Sequence, residues 1–279
     1  MSRASKACVI GWPIEHSRSP LIHGFWLEQH GIEGTYEKVA VAPDDLKDFL
    51  ASLEAKGYRG ANVTVPHKEA ALALADEADE TARAIGAANT LWLKDGRLMA
   101  SNTDAYGFVT HLDDVVPGWH DAGHPVCVLG AGGATRAVLK GLIDRGASDI
   151  RLTNRTRERA EALAREFGPA ISVHDWDNRD HALKGCGLLV NTTSLGMIGA
   201  SALELDLGGL RDDAIVADIV YAPLETDLLA RARARGLRVV DGLGMLLHQA
   251  VPGFEKWFGV RPEVTEDLRS RIVADLEKT

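Results

Sequence analysis

Lys68 stands out among the residues that could do chemistry. It follows an apolar strand pattern and then Pro66 and His67, which places it in the first turn of a helix. A cation there opposes the helix dipole. A lysine is usually a solvated surface charge, but the uncharged polar residues Asn62 and Thr64, set in an otherwise apolar strand, weaken that account. Asp104 is its natural partner, although an acid at that position serves equally well as an N-cap for the helix that follows. An ammonium held by a carboxylate can polarise a carbonyl and deliver a proton to it. A second constellation, Ser17-Arg18-Ser19-Pro20, opens another helix. Ser19 before Pro20 suits an N-cap, and two serines around an arginine also suit a bound carboxylate. Spacing alone does not separate the two.

The third constellation binds phosphate. An apolar run, 126–129, meets the turn Gly130-Ala131-Gly132-Gly133-Ala134, then a helical pattern, Gly146, and a second strand at 150–153. This is the first half of a dinucleotide-binding fold, in which glycines admit a pyrophosphate to the amino end of a helix. The third glycine position holds Thr135, or Ala134 if the count slides, so the turn alone could be any tight strand-to-helix corner. The flanking strands and helix favour a nucleotide. At the second strand end an NAD enzyme carries an acid for the ribose hydroxyls. Here the residues are Asn154-Arg155-Thr156-Arg157-Glu158-Arg159. Guanidiniums and a hydroxyl suit a 2′-phosphate and point to NADP.

These residues need scaffolds. At 279 residues the chain is expected to form two domains. The first hundred residues alternate strand and helix and can build a small open α/β sheet. Residues 115–125 read as a loop. Strands are expected near 171–173, 188–191, 215–218 and 238–240, with a helix at 227–235. Two helical patterns, 243–258 and 263–276, close the chain, and Pro252 is expected to kink or split the first. A net charge of -9 argues against nucleic acid and anionic membranes, so an anionic ligand needs local cations. No apolar run approaches the roughly 20 residues of a bilayer span, and the N-terminal residues lack a signal-peptide core. The three cysteines are spread apart, and Cys8 and Cys127 sit in apolar runs. They read as core thiols, no Cys/His spacing suits a metal, and a cytoplasmic location is expected.

Taken in order, several motifs resemble the shikimate dehydrogenase family over nearly the whole chain. They are Ser17-Arg18-Ser19-Pro20, Asn62-Val63-Thr64-Val65-Pro66-His67-Lys68, Gly86-Ala87-Ala88-Asn89-Thr90 and Asn102-Thr103-Asp104. The Gly130 turn, Asn154-Arg155-Thr156, Asn191-Thr192-Thr193-Ser194-Leu195-Gly196-Met197 and Gly242-Leu243-Gly244-Met245-Leu246-Leu247-His248-Gln249 follow. Each motif is loose, but the ordered set is specific. The resemblance implies a substrate-binding α/β domain (1–104 plus 242–279) whose last helices return to it, and a Rossmann-type NADP-binding domain (105–241), with the active site in the cleft between them. It implies NADP-linked reduction of 3-dehydroshikimate to shikimate. By resemblance, Ser17 and Ser19 bond the substrate carboxylate, Asn62, Thr64, Asn89, Asp104 and Gln249 hold the ring with Lys68, and Tyr221 adds a contact. Gly130 to Ala134 and Asn154, Arg155, Thr156 and Arg159 match NADP contacts, Ile219 and Gly242 match positions near the nicotinamide, and Glu80 matches a further cofactor position. For Glu80 an ordinary acid at a helix start is the simple alternative.

Three other readings share these features. One is a quinate/shikimate or amino-shikimate dehydrogenase of the same family. A second is a non-catalytic sensor of a shikimate-like ligand, although such a protein is free to lose Lys68 or Asp104. A third is another two-domain NADP dehydrogenase, against which the serine pair and the Asn62 to Lys68 stretch argue. The partners expected are small molecules, with no nucleic acid and no membrane; a homodimer is left open.

Overall fold

The computed structural model describes residues 5–278. Residues 1–4, the start of the N-terminal stretch read above for a signal peptide, and residue 279 lie outside the described residues. In chain order the elements are β1 (Ser5–Gly11), α1 (Ser19–Gln29), β2 (Gly34–Ala40), α2 (Leu46–Ala51), β3 (Tyr58–Val63) and α3 (Lys68–Leu74). Then come β4 (Glu77–Ala78), α4 (Glu80–Ile85), β5 (Thr90–Lys94), β6 (Arg97–Ser101), α5 (Asp104–Val115), β7 (Val126–Leu129), α6 (Gly133–Asp144), β8 (Ile150–Thr153) and α7 (Arg157–Phe167). The chain continues through β9 (Ile171–His174), α8 (Arg179–Ala182), β10 (Leu188–Asn191), β11 (Ile215–Asp218), α9 (Asp227–Ala234) and β12 (Arg238–Val240). It ends in α10 (Gly242–His248), α11 (Ala250–Phe258) and α12 (Glu266–Leu276). Two compact units result: Met1–Asp104 with Leu247–Thr279, and Ala105–Leu246.

The first unit holds a mixed sheet in the order β2-β1-β3-β5-β6-β4. β2, β1 and β3 are parallel, whereas β5 runs antiparallel to both β3 and β6. The carboxyl ends of β1, β3 and β6 and the amino end of β5 therefore meet at one end of the sheet. Cys8, Ile10, Ala61, Val63 and Leu91 pack with α2 residues Phe49 and Leu50. Against α1, His23, Trp26, Tyr36, Phe254 and Trp257 form a ring cluster. Gly60 makes room for this cluster, because a Cβ there would collide with the Leu91 carbonyl oxygen and the Trp257 ring. Trp257 Nε1 instead donates to that carbonyl at 2.9 Å.

The second unit is a fully parallel sheet in the order β12-β11-β10-β7-β8-β9. This is the doubly wound order, with its reversal between β7 and β10. Its central strands β7, β10 and β11 are buried along their whole length and apolar up to their carboxyl ends, as strands covered by helices on both faces are. Val126 and Val128 join a core with α5, α6 and α7 residues, while Cys127 and Leu129 join a second core with α8 and α9 residues. The period-two alternation of a strand divides the run this way, and it makes Cys127 a core residue. All three cysteines are buried and free.

The chain departs from the sequence reading at two helix starts. α1 begins at Ser19 with Arg18 at the cap position and no side-chain cap bond, so Ser19 is not the N-cap. The C-terminal pattern splits into two helices, as the proline suggested, but the break lies at Gln249, ahead of Pro252. Pro252 occupies the first turn of α11, where its missing N–H has no intrahelical partner to lose.

Candidate active site

In the first unit, the sheet end where four strand ends meet gathers most of the residues expected to touch substrate. Trp12 N–H donates to the Val65 carbonyl at 3.1 Å, so the loop after β1, with Ser17 and Ser19, is tied to the loop after β3, with Thr64. Lys68 opens α3, and its Nζ lies 2.6 Å from Asp104 Oδ2. The pair is partly buried, with side-chain exposures of 32% and 16%. Asp104 Oδ1 accepts from Asn89 Nδ2 at 2.8 Å. Asp104 is also the first residue of α5, and its own N–H is taken by Asn102 Oδ1 at 3.0 Å. Both carboxylate oxygens are thus engaged by side chains, and the capping account of this acid does not hold.

Asn89 is the hub. Its Oδ1 accepts from Thr103 N–H at 2.9 Å and from the Thr90 hydroxyl at 2.9 Å, and its Nδ2 also reaches Gln249 Oε1 at 3.4 Å. The Thr103 hydroxyl donates to the Gln249 carbonyl at 2.7 Å, which seats the start of α11 beside the pair. Asn62 is buried, with Oδ1 accepting from Tyr36 at 2.6 Å and Nδ2 donating to the Asn89 carbonyl at 3.1 Å. Its amide is therefore committed inside the unit, where it braces Asn89. Arg18 donates to Asp275 Oδ2 at 3.1 Å, and the Ser17 hydroxyl accepts from Ser19 N–H at 3.4 Å. Ser17 thus takes the first helix N–H only through a long bond, and Arg18 at the cap position makes no side-chain cap bond. Asn102 and Thr103 were missed as supporting residues; their signal was a pair of small polar residues directly after an apolar strand.

In the second unit, the glycine turn lies at the carboxyl end of β7, beside the reversal in strand order. Gly130 has φ of +109°, and an added Cβ would sit 2.6 Å from Thr192 Oγ1. At Gly132 and Gly133 an added Cβ would meet nothing within 4 Å, so this backbone is open. Thr135, at the third glycine position, is fully buried, accepts from Gly132 N–H at 2.9 Å and shares a hydrogen bond with the Thr192 hydroxyl at 2.7 Å. The departure from glycine thus fastens the turn. After β8, Asn154 Nδ2 donates to the Thr156 carbonyl at 2.8 Å, and Thr156 caps α7 in position only, without a side-chain bond. Arg157 pairs with Glu161 and Asp175. Arg155 and Arg159 are exposed and form no ion pair among the described residues. An open glycine turn and two unpaired guanidiniums at an uncapped helix start fit the pyrophosphate and 2′-phosphate of NADP.

The remaining expected residues lie as follows. Gly242 packs so closely on the Ile219 carbonyl that a Cβ would collide with it, which brings these two positions together. Tyr221 is half-buried in the loop after β11. Glu80 lies in the first unit, exposed at the start of α4, where Asp79 does the capping by accepting from Ala82 N–H at 2.7 Å. No helix of the described residues is long and apolar enough to cross a membrane.

A parallel sheet with a reversed strand order, an open glycine turn and a cationic strand end defines a dinucleotide-binding unit of the Rossmann type, here joined to a separate α/β unit bearing a lysine–aspartate pair. The comparisons are specific. Residues 9–91 match the shikimate dehydrogenase substrate binding domain, residues 118–201 the shikimate / quinate 5-dehydrogenase family and residues 242–268 the shikimate 5'-dehydrogenase C-terminal domain. The chain is 60% identical to the shikimate dehydrogenase (NADP(+)) of Mesorhizobium japonicum, over 97% of this chain and 96% of that one. Among solved structures, it resembles shikimate 5-dehydrogenase from Thermus thermophilus in complex with NADP(H) and shikimate. The identity is 37%, the TM-score 0.82, and the match covers 98% of this chain and 99% of that one. It also resembles quinate dehydrogenase from Corynebacterium glutamicum in complex with NAD, at 30% identity and TM-score 0.90, over 97% and 99% of the two chains. The chain belongs to the shikimate dehydrogenase family.

Proposed function

We propose that this protein is an NADP-dependent oxidoreductase that reversibly reduces 3-dehydroshikimate to shikimate. The observation that carries the reading is the Lys68–Asp104 pair, 2.6 Å apart at the meeting point of four strand ends, in a chain 60% identical to a named NADP-linked relative. Bound at the glycine turn, the dinucleotide supplies the hydride. The first unit does the rest. Ser17 and Ser19 receive the substrate carboxylate, and Thr64, Asn89 and Gln249 orient the ring hydroxyls. Asn62 acts one step back, by bracing Asn89. The Lys68 ammonium donates a hydrogen bond to the ketone oxygen, which gains negative charge as reduction proceeds, and then a proton. Asp104 aims that ammonium and is itself aimed by Asn89. In the second unit Arg155, Thr156 and Arg159 take the 2′-phosphate, and Tyr221 is a further substrate contact. Glu80, exposed at the start of α4, is the one proposed cofactor contact that lies in the first unit. A cytoplasmic location goes with the reading, supported by three cysteines that remain unpaired.

The quinate dehydrogenase likeness keeps one alternative in view, since that protein is in complex with NAD. The unpaired Arg155 and Arg159 favour the phosphorylated cofactor here. Steady-state kinetics on shikimate and quinate, each with NADP and NAD, test this. The highest kcat/KM is expected for shikimate with NADP; a preference for quinate with NAD would overturn the assignment.

A further inference from the structure

Asp218 ends β11 as a buried carboxylate, 2% exposed, with no cation among its partners. Burial raises its pKa, and the hydrogen bonds it accepts oppose that rise. Oδ1 accepts from Val220 N–H at 3.0 Å and from Asn191 Nδ2 at 3.0 Å, and Oδ2 accepts from the Thr226 hydroxyl at 2.8 Å. Asn191 ends the neighbouring strand β10 and carries the bonding onward. Its Oδ1 accepts from Thr193 N–H at 3.1 Å and from the Thr193 hydroxyl at 2.7 Å, and its carbonyl accepts from Ile219 N–H at 3.1 Å. One carboxylate therefore fastens the loops that leave β10 and β11, just beyond the reversal in strand order. Burying a carboxylate without a cation is costly. The pattern of donors accounts for it: they anchor the residues on either side of Ile219, and Gly242 packs directly on the Ile219 carbonyl.

We infer that Asp218 is a positioning residue for the nicotinamide end of the cofactor site, setting the Ile219–Tyr221 turn through Val220, Asn191 and Thr226. This rests on the proposed function and on the family resemblance, which matches Ile219 and Gly242 to positions near the nicotinamide. At the other end of the site the glycine turn is held through Thr135 and Thr192, and Thr192 is fixed to the Leu129 carbonyl of β7 by its own N–H and hydroxyl, not by Asp218; the arginines follow β8. The two halves of the dinucleotide consequently respond differently to a change at position 218.

The test titrates the full-length protein, without substrate, with NADP+ and separately with adenosine 2′,5′-bisphosphate, which lacks the nicotinamide half. In Asp218→Ala, Kd for NADP+ is expected to rise about tenfold or more, while Kd for the bisphosphate stays within about twofold of the wild type. Asp218→Asn is expected to stay within about threefold for both ligands. Its oxygen can accept from Val220 and Asn191, and its amide can donate to the Thr226 hydroxyl. Equal weakening of both ligands in Asp218→Ala would mean that the residue only holds the unit together, and no weakening would mean that it does nothing for the site; either overturns the inference. If Asp218→Ala does not fold, Thr226→Val removes one donor and is expected to weaken NADP+ several-fold and to spare the bisphosphate, with the same contrary outcomes. A wild type that binds neither ligand would instead sink the functional reading, and this inference with it.

Discussion

At the scale of single residues, the proposed proton and phosphate chemistry falls to two small sets. Lys68 is placed by Asp104, Asp104 by Asn89, and Asn89 by Thr103 and Asn62. Lys68→Ala is expected to lower kcat by about 10²–10⁴-fold and to change KM for shikimate far less, because the proton moves in the transition state. Steady-state assays check this, and an unchanged kcat would remove Lys68 from the reaction. Arg155→Ala is expected to raise KM for NADPH by about tenfold or more and to leave that for NADH nearly unchanged, as one charged contact to phosphate is lost. Equal effects on the two cofactors would overturn the 2′-phosphate assignment. Lys68, Asp104 and the arginines were legible in the sequence because charge or polarity interrupted an apolar pattern. The inward commitment of Asn62 was not legible, since it depends on Tyr36, a residue of another strand. Asp218 was overlooked because an acid at a strand end looks ordinary until its partners are known.

At the scale of elements, the apolar periodicities indicated most strands and helices, and the glycine turn indicated the parallel sheet. The two-residue strand β4 has too little length to show a period. Position within a helix decided the role of Pro252, and a sequence pattern spanning two helices conceals that position. The ring cluster on α1 carries a measurable consequence. His23 is fully buried, stacks on Tyr36 with ring centroids 4.0 Å apart, and has no hydrogen-bond partner for either ring nitrogen. Burial holds its pKa down to about 3, against an unfolded value of about 6.5. The imidazole is therefore neutral when folded, and its contribution is intact above the unfolded pKa. As pH falls below about 6.5 only the unfolded chain takes up the proton. Stability drops by up to about 1.4 kcal/mol per pH unit until the folded pKa is reached. His23→Phe removes this dependence. Its stability relative to wild type, from urea unfolding, is expected to improve by about 2 kcal/mol between pH 7 and pH 5. A difference that does not vary with pH would contradict the account of this cluster.

At the scale of the whole molecule, the proposed chemistry is divided between two units that each have their own sheet and core. The chain leaves the first unit after Asp104 and returns to it at Leu247, so both Asp104 and Gln249 lie beside a crossing. A net charge of -9 gives no general attraction for anions, so the proposed cofactor site relies on local groups, Arg155, Arg159 and the glycine turn. The most direct test of the central claim is the nicotinamide absorbance of NADPH after mixing with purified protein and 3-dehydroshikimate. The account predicts a steady loss of absorbance with the wild-type protein, slowed at least about a hundredfold in Lys68→Ala. Absorbance that stays constant with the folded wild-type protein, or falls equally fast in both proteins, would contradict it.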